Sequence, residues 1–181
     1  MTAPHTVPDA RALVEMVLAR SPGGDSRIHG VRHWRRVAHN GLALLAETPE
    51  ADGLLVFLFS LFHDAMRLND HRDPDHGARA AALARELRGD LYRLDDARMD
   101  LLGFALAEHD RGLTSDDATV GACWDADRLN LWRVGIEPRP DRLSTREAKR
   151  PGRILWARRV MRTPPPCWGD LARGYGLPWP E

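Results

Sequence analysis

The stretch that most constrains the fold is a nine-residue apolar run that ends in a histidine and an aspartate. Every residue from Leu54 to Phe62 is apolar except Ser60, and His63 and Asp64 follow directly. A run this apolar is expected to be buried, so it delivers two titratable side chains to the end of a core element. Burying such groups costs free energy unless they are paired or coordinate a metal. The run therefore predicts either a solvated helix end or a buried polar site.

The composition indicates one domain with no overall charge bias. The chain has 181 residues, 26 basic and 26 acidic, and a formal net charge of zero, so nothing global indicates nucleic acid or an anionic membrane as a partner. Cys123 and Cys167 form no disulfide or metal-binding pattern. The N-terminus has no signal-peptide pattern, and the longest apolar run is far shorter than the ~20 residues that span a bilayer. We expect a soluble cytoplasmic protein.

Hydrophobic periodicity predicts an all-α fold, because apolar residues recur at three- and four-residue steps and no stretch is typical of a strand. The predicted helices cover residues 10–20, 29–47, 51–65, 74–87, 94–108 and about 152–161. A further helix is expected to follow the start signal at 112–115 and to run through Leu131. Asp9 is the expected cap of the first helix, and Asp73 and Pro74 are the expected cap and first residue of the 74–87 helix.

Beyond Gly135 the character of the chain changes. Prolines recur from Pro138 to Pro166, and tryptophans are scattered among arginines. We expect residues 1–135 to form the helical domain, with its core in residues 25–135. Residues 136–181 are expected to form a less regular extension that packs on the same domain.

Histidines and a further carboxylate stand at four other places. His29 and His33 lie four residues apart on the predicted second helix, so they share a face. His76 is near the start of the 74–87 helix, and His109 is in phase with the apolar residues of the helix before it. Asp127 lies among residues that otherwise build a core. These positions are candidates for a site at the end of the apolar run.

The order of these residues resembles the HD superfamily of metal-dependent phosphohydrolases. That family has an early histidine on a helix, an apolar helix that ends in His-Asp, and a distant aspartate. The matching residues here are His33 in HWRRV, His63 and Asp64 in LFHD, and Asp127 in DADRL. The stretch HDAMRLNDHRDPDHGARAA also resembles one subgroup of small bacterial HD hydrolases. The resemblance covers about residues 25–135, and it implies a single HD-type helical domain with those four residues as metal ligands.

The types of ligand agree with that implication. Two imidazoles and two carboxylates suit one divalent transition metal, Mn, Fe, Co, Ni or Zn, and the lack of cysteine argues against a structural zinc site. Four protein ligands on an octahedral ion leave positions for water and substrate, and a metal-bound hydroxide can attack phosphorus. We therefore expect a phosphohydrolase that acts on a nucleotide or another small phosphate ester. No nucleic acid duplex or membrane is expected as a partner.

Other residues receive roles around this metal. Asp64 and His109 are the predicted catalytic residues, with His109 in proton transfer. Arg67, His76 and Arg128 are predicted to contact substrate, the two arginines through charge-assisted bonds to phosphate. The alternative for His109 is a core histidine bonded to a backbone carbonyl.

Several alternatives stay open in the sequence. His29 can replace His33 as the ligand. Asp125 can replace Asp127, although positions two apart on a helix face different ways. A second metal is the alternative role of the two later histidines. If two iron ions bind, the alternative function is that of a di-iron oxygenase on the same scaffold. A second alternative is a nucleotide-binding sensor that keeps the pocket but catalyses no reaction.

Overall fold

The computed structural model describes residues 6–181, which form eight α-helices and no β-strand. The helices are α1 (Ala10–Arg20), α2 (Val31–Leu45), α3 (Gly53–Phe62), α4 (His76–Leu87), α5 (Asp96–Glu108), α6 (Ala118–Arg128), α7 (Pro151–Val160) and α8 (Trp168–Gly174). The predicted all-α class is confirmed, while the first five residues of the predicted 1–135 domain lie outside the described part. Within that part, no helix is both long and apolar enough to cross a bilayer.

Helix α3 is the central helix of the core. All of its residues from Leu55 to Phe62 are buried, and it packs against α2, α5 and α6. Asp52 caps its start by accepting hydrogen bonds from the backbone N–H groups of Leu54 and Leu55. The apolar run is therefore buried as expected, and its end delivers His63 to the middle of the molecule.

Helices α2, α3, α4 and α5 each begin two residues after the predicted start, and side-chain hydrogen bonds account for two of these shifts. His29 precedes α2, because the Ser26 hydroxyl accepts hydrogen bonds from the backbone N–H groups of Ile28 and His29 and holds them in a turn. α4 begins at His76 rather than at Pro74. Asp73 does not cap it, since the Asp73 carboxylate accepts hydrogen bonds from the Arg79 guanidinium at 2.6 and 2.7 Å.

Residues 136–181 contribute to the same core as the preceding helices. Ile154 and Ala157 of α7 and Leu171 and Ala172 of α8 are buried in it. α8 packs against α1 and α2, although the sequence pattern predicts only α7 in this segment. The Arg35 guanidinium of α2 also donates to the carbonyl oxygens of Pro165 and Pro166, each at 2.6 Å.

Gly77 allows α4 to approach α5 closely. A Cβ atom at this position would lie 2.4 Å from the carbonyl oxygen of Leu106 and 3.2 Å from Cα of Ala107. Both contacts are backbone atoms, so the clash could be relieved only by moving a helix. The close approach brings His76 Nε2 to within 3.1 Å of His109 Nε2.

Replacing Gly77 with alanine should therefore lower the free energy of unfolding by about 1–3 kcal/mol, because overpacking outweighs the better helix propensity of alanine. Urea denaturation measures the change. The matched control is Gly152→Ala in α7, where an added Cβ has no heavy atom within 4 Å and stability should not fall. Equal stability of the two variants would contradict the close contact between α4 and α5.

Candidate metal centre

The Asp64 carboxylate lies between two groups of histidines. Asp64 is only 3% exposed, and its two oxygen atoms face in different directions. Oδ2 lies 3.0 Å from His29 Nδ1 and 3.4 Å from His33 Nε2. Oδ1 lies 3.3 Å from His76 Nε2 and 3.7 Å from His109 Nε2. The single Asp64 carboxylate therefore contacts one group of histidines through Oδ2 and the other group through Oδ1.

The first group consists of His33, His63 and Asp64, which are all buried. His33 projects from α2, and its Nε2 lies 3.0 Å from Nε2 of His63, which ends α3. Asp127 of α6 extends this group, since its Oδ1 lies 3.2 Å from His33 Nε2. The structure thus brings together the four residues predicted as metal ligands, from three helices distant in sequence.

The second group consists of Asp64, His76 and His109, and it is also buried. His76 is the first residue of α4, and His109 directly follows α5. Their Nε2 atoms are 3.1 Å apart. The sequence assigned one of these histidines to substrate and the other to proton transfer. The geometry is that of a second group able to hold a metal ion, the alternative left open for this pair.

Hydrogen bonds to backbone carbonyls set the tautomers of three of these histidines. Nδ1 lies near a carbonyl oxygen in each: Ser60 at 3.2 Å for His63, Asp73 at 2.5 Å for His76, and Leu106 at 2.8 Å for His109. A carbonyl can only accept, so we assign the proton of each neutral ring to Nδ1. The Nε2 atoms then present lone pairs to the interior of the cluster, as in metal-ligating histidines.

Converging lone pairs and carboxylate oxygens require a positive partner. Two Nε2 lone pairs near 3 Å apart repel each other unless a proton or a cation lies between them. Asp127 Oδ1 is also buried without a hydrogen-bond donor, because its 3.2 Å contact with His33 Nε2 falls outside hydrogen-bond geometry. Such an orphaned buried oxygen is costly in the absence of a cation. The donor set therefore fits a divalent metal ion.

Burial and charge shift the pKa values within the cluster. Burial lowers the pKa of His63 to about 3, which keeps its ring neutral. Burial opposes ionisation of Asp64, but interactions with His63 and His109 outweigh it and hold the pKa of this carboxyl well below its usual range. Contact with His33 likewise overcomes burial and lowers the pKa of Asp127. Burial acts to lower the pKa of His109, but its contact with Asp64 raises it overall. Both carboxylates are thus ionised and suited to bind a cation.

Asp125 and Asp127 point to different parts of the molecule. The Asp125 carboxylate accepts hydrogen bonds from the backbone N–H of Ser144 and from the backbone N–H and hydroxyl of Thr145, at 2.7 to 2.8 Å. It anchors the C-terminal segment to α6. Only Asp127 lies beside His33, so the structure separates two residues that the sequence pattern leaves as alternatives.

The two predicted phosphate-binding arginines lie in different surroundings. Arg67 NH1 is 3.2 Å from His76 Nε2 and 3.6 Å from Asp64 Oδ1, so its guanidinium faces the second group. Arg128 instead donates to the Arg142 carbonyl oxygen at 2.9 Å and lies over the ring of Trp124. Its predicted contact with phosphate stays a prediction, with the guanidinium held towards the C-terminal segment.

Two residues without a predicted role complete the first group. Asn130 lies 2.6 Å from His33 Nδ1 through its amide, and its Oδ1 is buried without a donor. Exchanging the two amide atoms lets Oδ1 accept the Nδ1 proton, which leaves His33 Nε2 free as a ligand. Arg133 NH1 lies 3.9 Å from Asp127 Oδ1. The available signal was helical spacing, because Asn130 follows Asp127 by three residues.

Comparison with protein-family models, with curated proteins and with solved structures gives no match to this chain.

Replacing Asp127 with asparagine should reduce metal affinity by at least ~10-fold, because the change removes a negative ligand from the first group. Elemental analysis of freshly purified protein and metal titration measure the loss. The matched control is Asp125→Asn, two residues earlier on α6, which should keep its metal because Asp125 bonds only to the C-terminal segment. Equal metal content in the two variants would contradict the ligand assignment.

Removing the metal should lower the melting temperature. A ligand that binds only the folded state adds about 2.7 kcal/mol at a concentration 100 times its dissociation constant. For a domain of this size that corresponds to roughly 5–10 °C. Calorimetry before and after chelation, with metal removal verified, measures the shift. An unchanged melting curve would show that the metal does not tie α2, α3 and α6 together.

Proposed function

We propose that this chain is an HD-type, metal-dependent phosphohydrolase that acts on a nucleotide or another small phosphate ester. The observation that carries the proposal is the buried Asp64 carboxylate between two sets of histidine Nε2 atoms that converge on it. A purely structural core would avoid this arrangement, because it brings Nε2 atoms of neighbouring histidines to within about 3 Å of each other and leaves the buried Asp127 Oδ1 without a hydrogen-bond donor. Resemblance of the ligand order to the HD superfamily agrees with the proposal.

The ligand set suits phosphoryl chemistry. His33, His63, Asp64 and Asp127 would hold a divalent cation, whose chemistry when bound is Lewis-acid activation of water at neutral pH. In the hydrolysis, the water gives up one proton to solvent as its oxygen forms a bond to phosphorus, the bond from phosphorus to the leaving oxygen breaks, and the leaving oxygen takes a proton from the protein. The protein's task is to hold the phosphate in line and to supply that proton.

Arg67 and His109 are the proposed contributors to these tasks. Arg67 NH2 donates to the His71 carbonyl oxygen at 2.9 Å, which fixes the guanidinium towards Asp64. Its NH1 faces the second group, where it can donate to a phosphate oxygen. With one cation bound, a His109 ring that carries protons on both nitrogens would give its Nε2 proton to the leaving group, and the contact with Asp64 that raises the pKa of His109 favours this protonated form. With a second cation bound beside His76, His109 becomes a ligand instead.

Hydrolysis in ¹⁸O-labelled water tests the reaction directly. Label should appear in the phosphate product, and Asp64→Asn should lower turnover on the order of 10³-fold, because the loss of several kcal/mol of charge stabilisation has that effect on rate. The matched control is Asp141→Asn, an exposed carboxylate paired with Arg139, which should keep full activity. Unlabelled phosphate, or equal activity of the two variants, would contradict the mechanism.

The second group favours one other function, a di-iron oxygenase. It provides Asp64, His76 and His109 for a second metal beside the first. Oxygen uptake by protein with two irons per chain, and no phosphate release from a broad panel with Mn, Fe, Co, Ni or Zn, would replace the hydrolase with the oxygenase. Nucleotide binding with neither activity would indicate a sensor.

A further inference from the structure

An arginine-lined cleft lies beside the first group. Its volume is about 260 Å³, and it is lined by Arg27, Arg32, Arg36 and Arg133 together with His33 and Asn130. His33 of the first group lines the cleft, and so does Asn130, which lies 2.6 Å from His33 Nδ1, so the cleft adjoins the candidate metal centre at His33. Positive charge is therefore concentrated at one side of this centre, although the whole chain has a formal net charge of zero.

Within the described residues, few carboxylates lie close enough to balance the charge of these arginines. Within residues 6–181, Arg27, Arg32 and Arg36 form no ion pair with a carboxylate, and Arg133 has one contact, at 3.9 Å from Asp127 Oδ1. Like charges around one cleft repel each other and lower the free energy of unfolding. An anion in the cleft would remove that cost and would find several donors.

Two of the arginines are already held in place. Arg36 is only 4% exposed, and its NH2 donates to the Thr163 carbonyl oxygen at 2.5 Å. Arg133 donates through Nε to the Ile28 carbonyl oxygen at 2.9 Å. Side chains held in this way lose little further entropy when they bind a ligand. Arg27 and Arg32 are exposed at the mouth of the cleft and can close on a ligand from outside.

Arg133 connects the cleft with the candidate metal centre, because it lines the cleft and lies near His29 and Asp127. Arg133 NH2 lies 3.5 Å from His29 Nδ1, which in turn lies 3.0 Å from Asp64 Oδ2. A phosphate at the metal centre would thus have the arginine cleft as its neighbour. A planar guanidinium group can donate two parallel hydrogen bonds to two oxygens of one phosphate. Several arginines together are therefore better suited to bind a phosphate than a neutral group.

We propose that the arginine cleft binds a second phosphate of the substrate, so that the substrate is a di- or triphosphate rather than a simple monoester. This inference rests on the proposed phosphohydrolase function and narrows its substrate class. The reacting phosphate lies at Asp64, and the next phosphate along the substrate lies among Arg27, Arg32, Arg36 and Arg133.

Calorimetric titration of the full metal-loaded chain with methylenediphosphonate, a diphosphate analogue that resists hydrolysis, tests the inference. Arg27→Gln combined with Arg32→Gln should weaken binding at least ~10-fold, because charge-assisted bonds are lost. The matched control combines Arg11→Gln and Arg139→Gln, which remove the same charge from exposed arginines paired with Glu15 and Asp141. The control should bind as the unaltered chain does. Methylphosphonate, with one phosphonate, should bind equally to all three proteins.

The outcomes separate this inference from the proposed function. Equal affinity of the two double variants for methylenediphosphonate would show that the probe binds to the metal alone. It would contradict the proposal that the arginine cleft binds a second phosphate. Malonate, with two carboxylates, should bind far more weakly, and equal binding would overturn the phosphate class. Loss of methylenediphosphonate binding only in the Arg27 and Arg32 variant, without phosphate release from any substrate, would support the binding role of the cleft. It would contradict the proposed hydrolase function. Phosphate release with equal kcat/KM for monophosphates and triphosphates would support the hydrolase function. It would contradict the role of the cleft in binding a second phosphate.

Discussion

The structure depends on the burial of one carboxylate, that of Asp64, at the end of the most apolar helix. Removing this charge from water is costly, and the cost is met only if donors or a cation surround both oxygens. Histidines from α2, α4 and the end of α5 face it, and Asp127 of α6 completes one side. The apolar surface of α3 stabilises the fold enough to hold these groups together. The proposed function and the stability of the fold therefore depend on the same residues. A bound metal would stabilise the fold and complete the proposed site.

The periphery of the molecule fixes the geometry of this centre. Gly77 lets α4 lie against α5, which sets the distance between the two histidines of the second group. The C-terminal segment is tied to α6 through Asp125 and to α2 through Arg36 and its contact with Thr163. That segment therefore supports the wall of the arginine cleft. Its contact with Arg36 holds one of the guanidinium groups that line the cleft.

Local pattern was sufficient for some of these features and not for others. The apolar run ending in His63 and Asp64 predicts a buried polar site because burial follows from local composition. The helices near His29 and Asp73 begin later than predicted because side-chain hydrogen bonds compete with helix capping: the Ser26 hydroxyl accepts from the backbone N–H of His29, and Arg79 donates to the Asp73 carboxylate. The pairing of the second group and the arginine cleft depend on how distant helices approach each other. No local sequence pattern predicts that packing. The only signal for Asn130 was its position three residues after Asp127.

The central claim is that the buried histidines and aspartates form a metal centre shared through Asp64. Anomalous X-ray diffraction from crystals of metal-loaded protein, recorded on both sides of the metal's absorption edge, tests it most directly. We predict an anomalous peak among His33, His63, Asp64 and Asp127, and with a second metal another peak on the opposite side of the Asp64 carboxylate. Full-occupancy metal elsewhere on the chain, with the histidine Nε2 atoms still within 3.1 Å of each other and no peak between them, would contradict it.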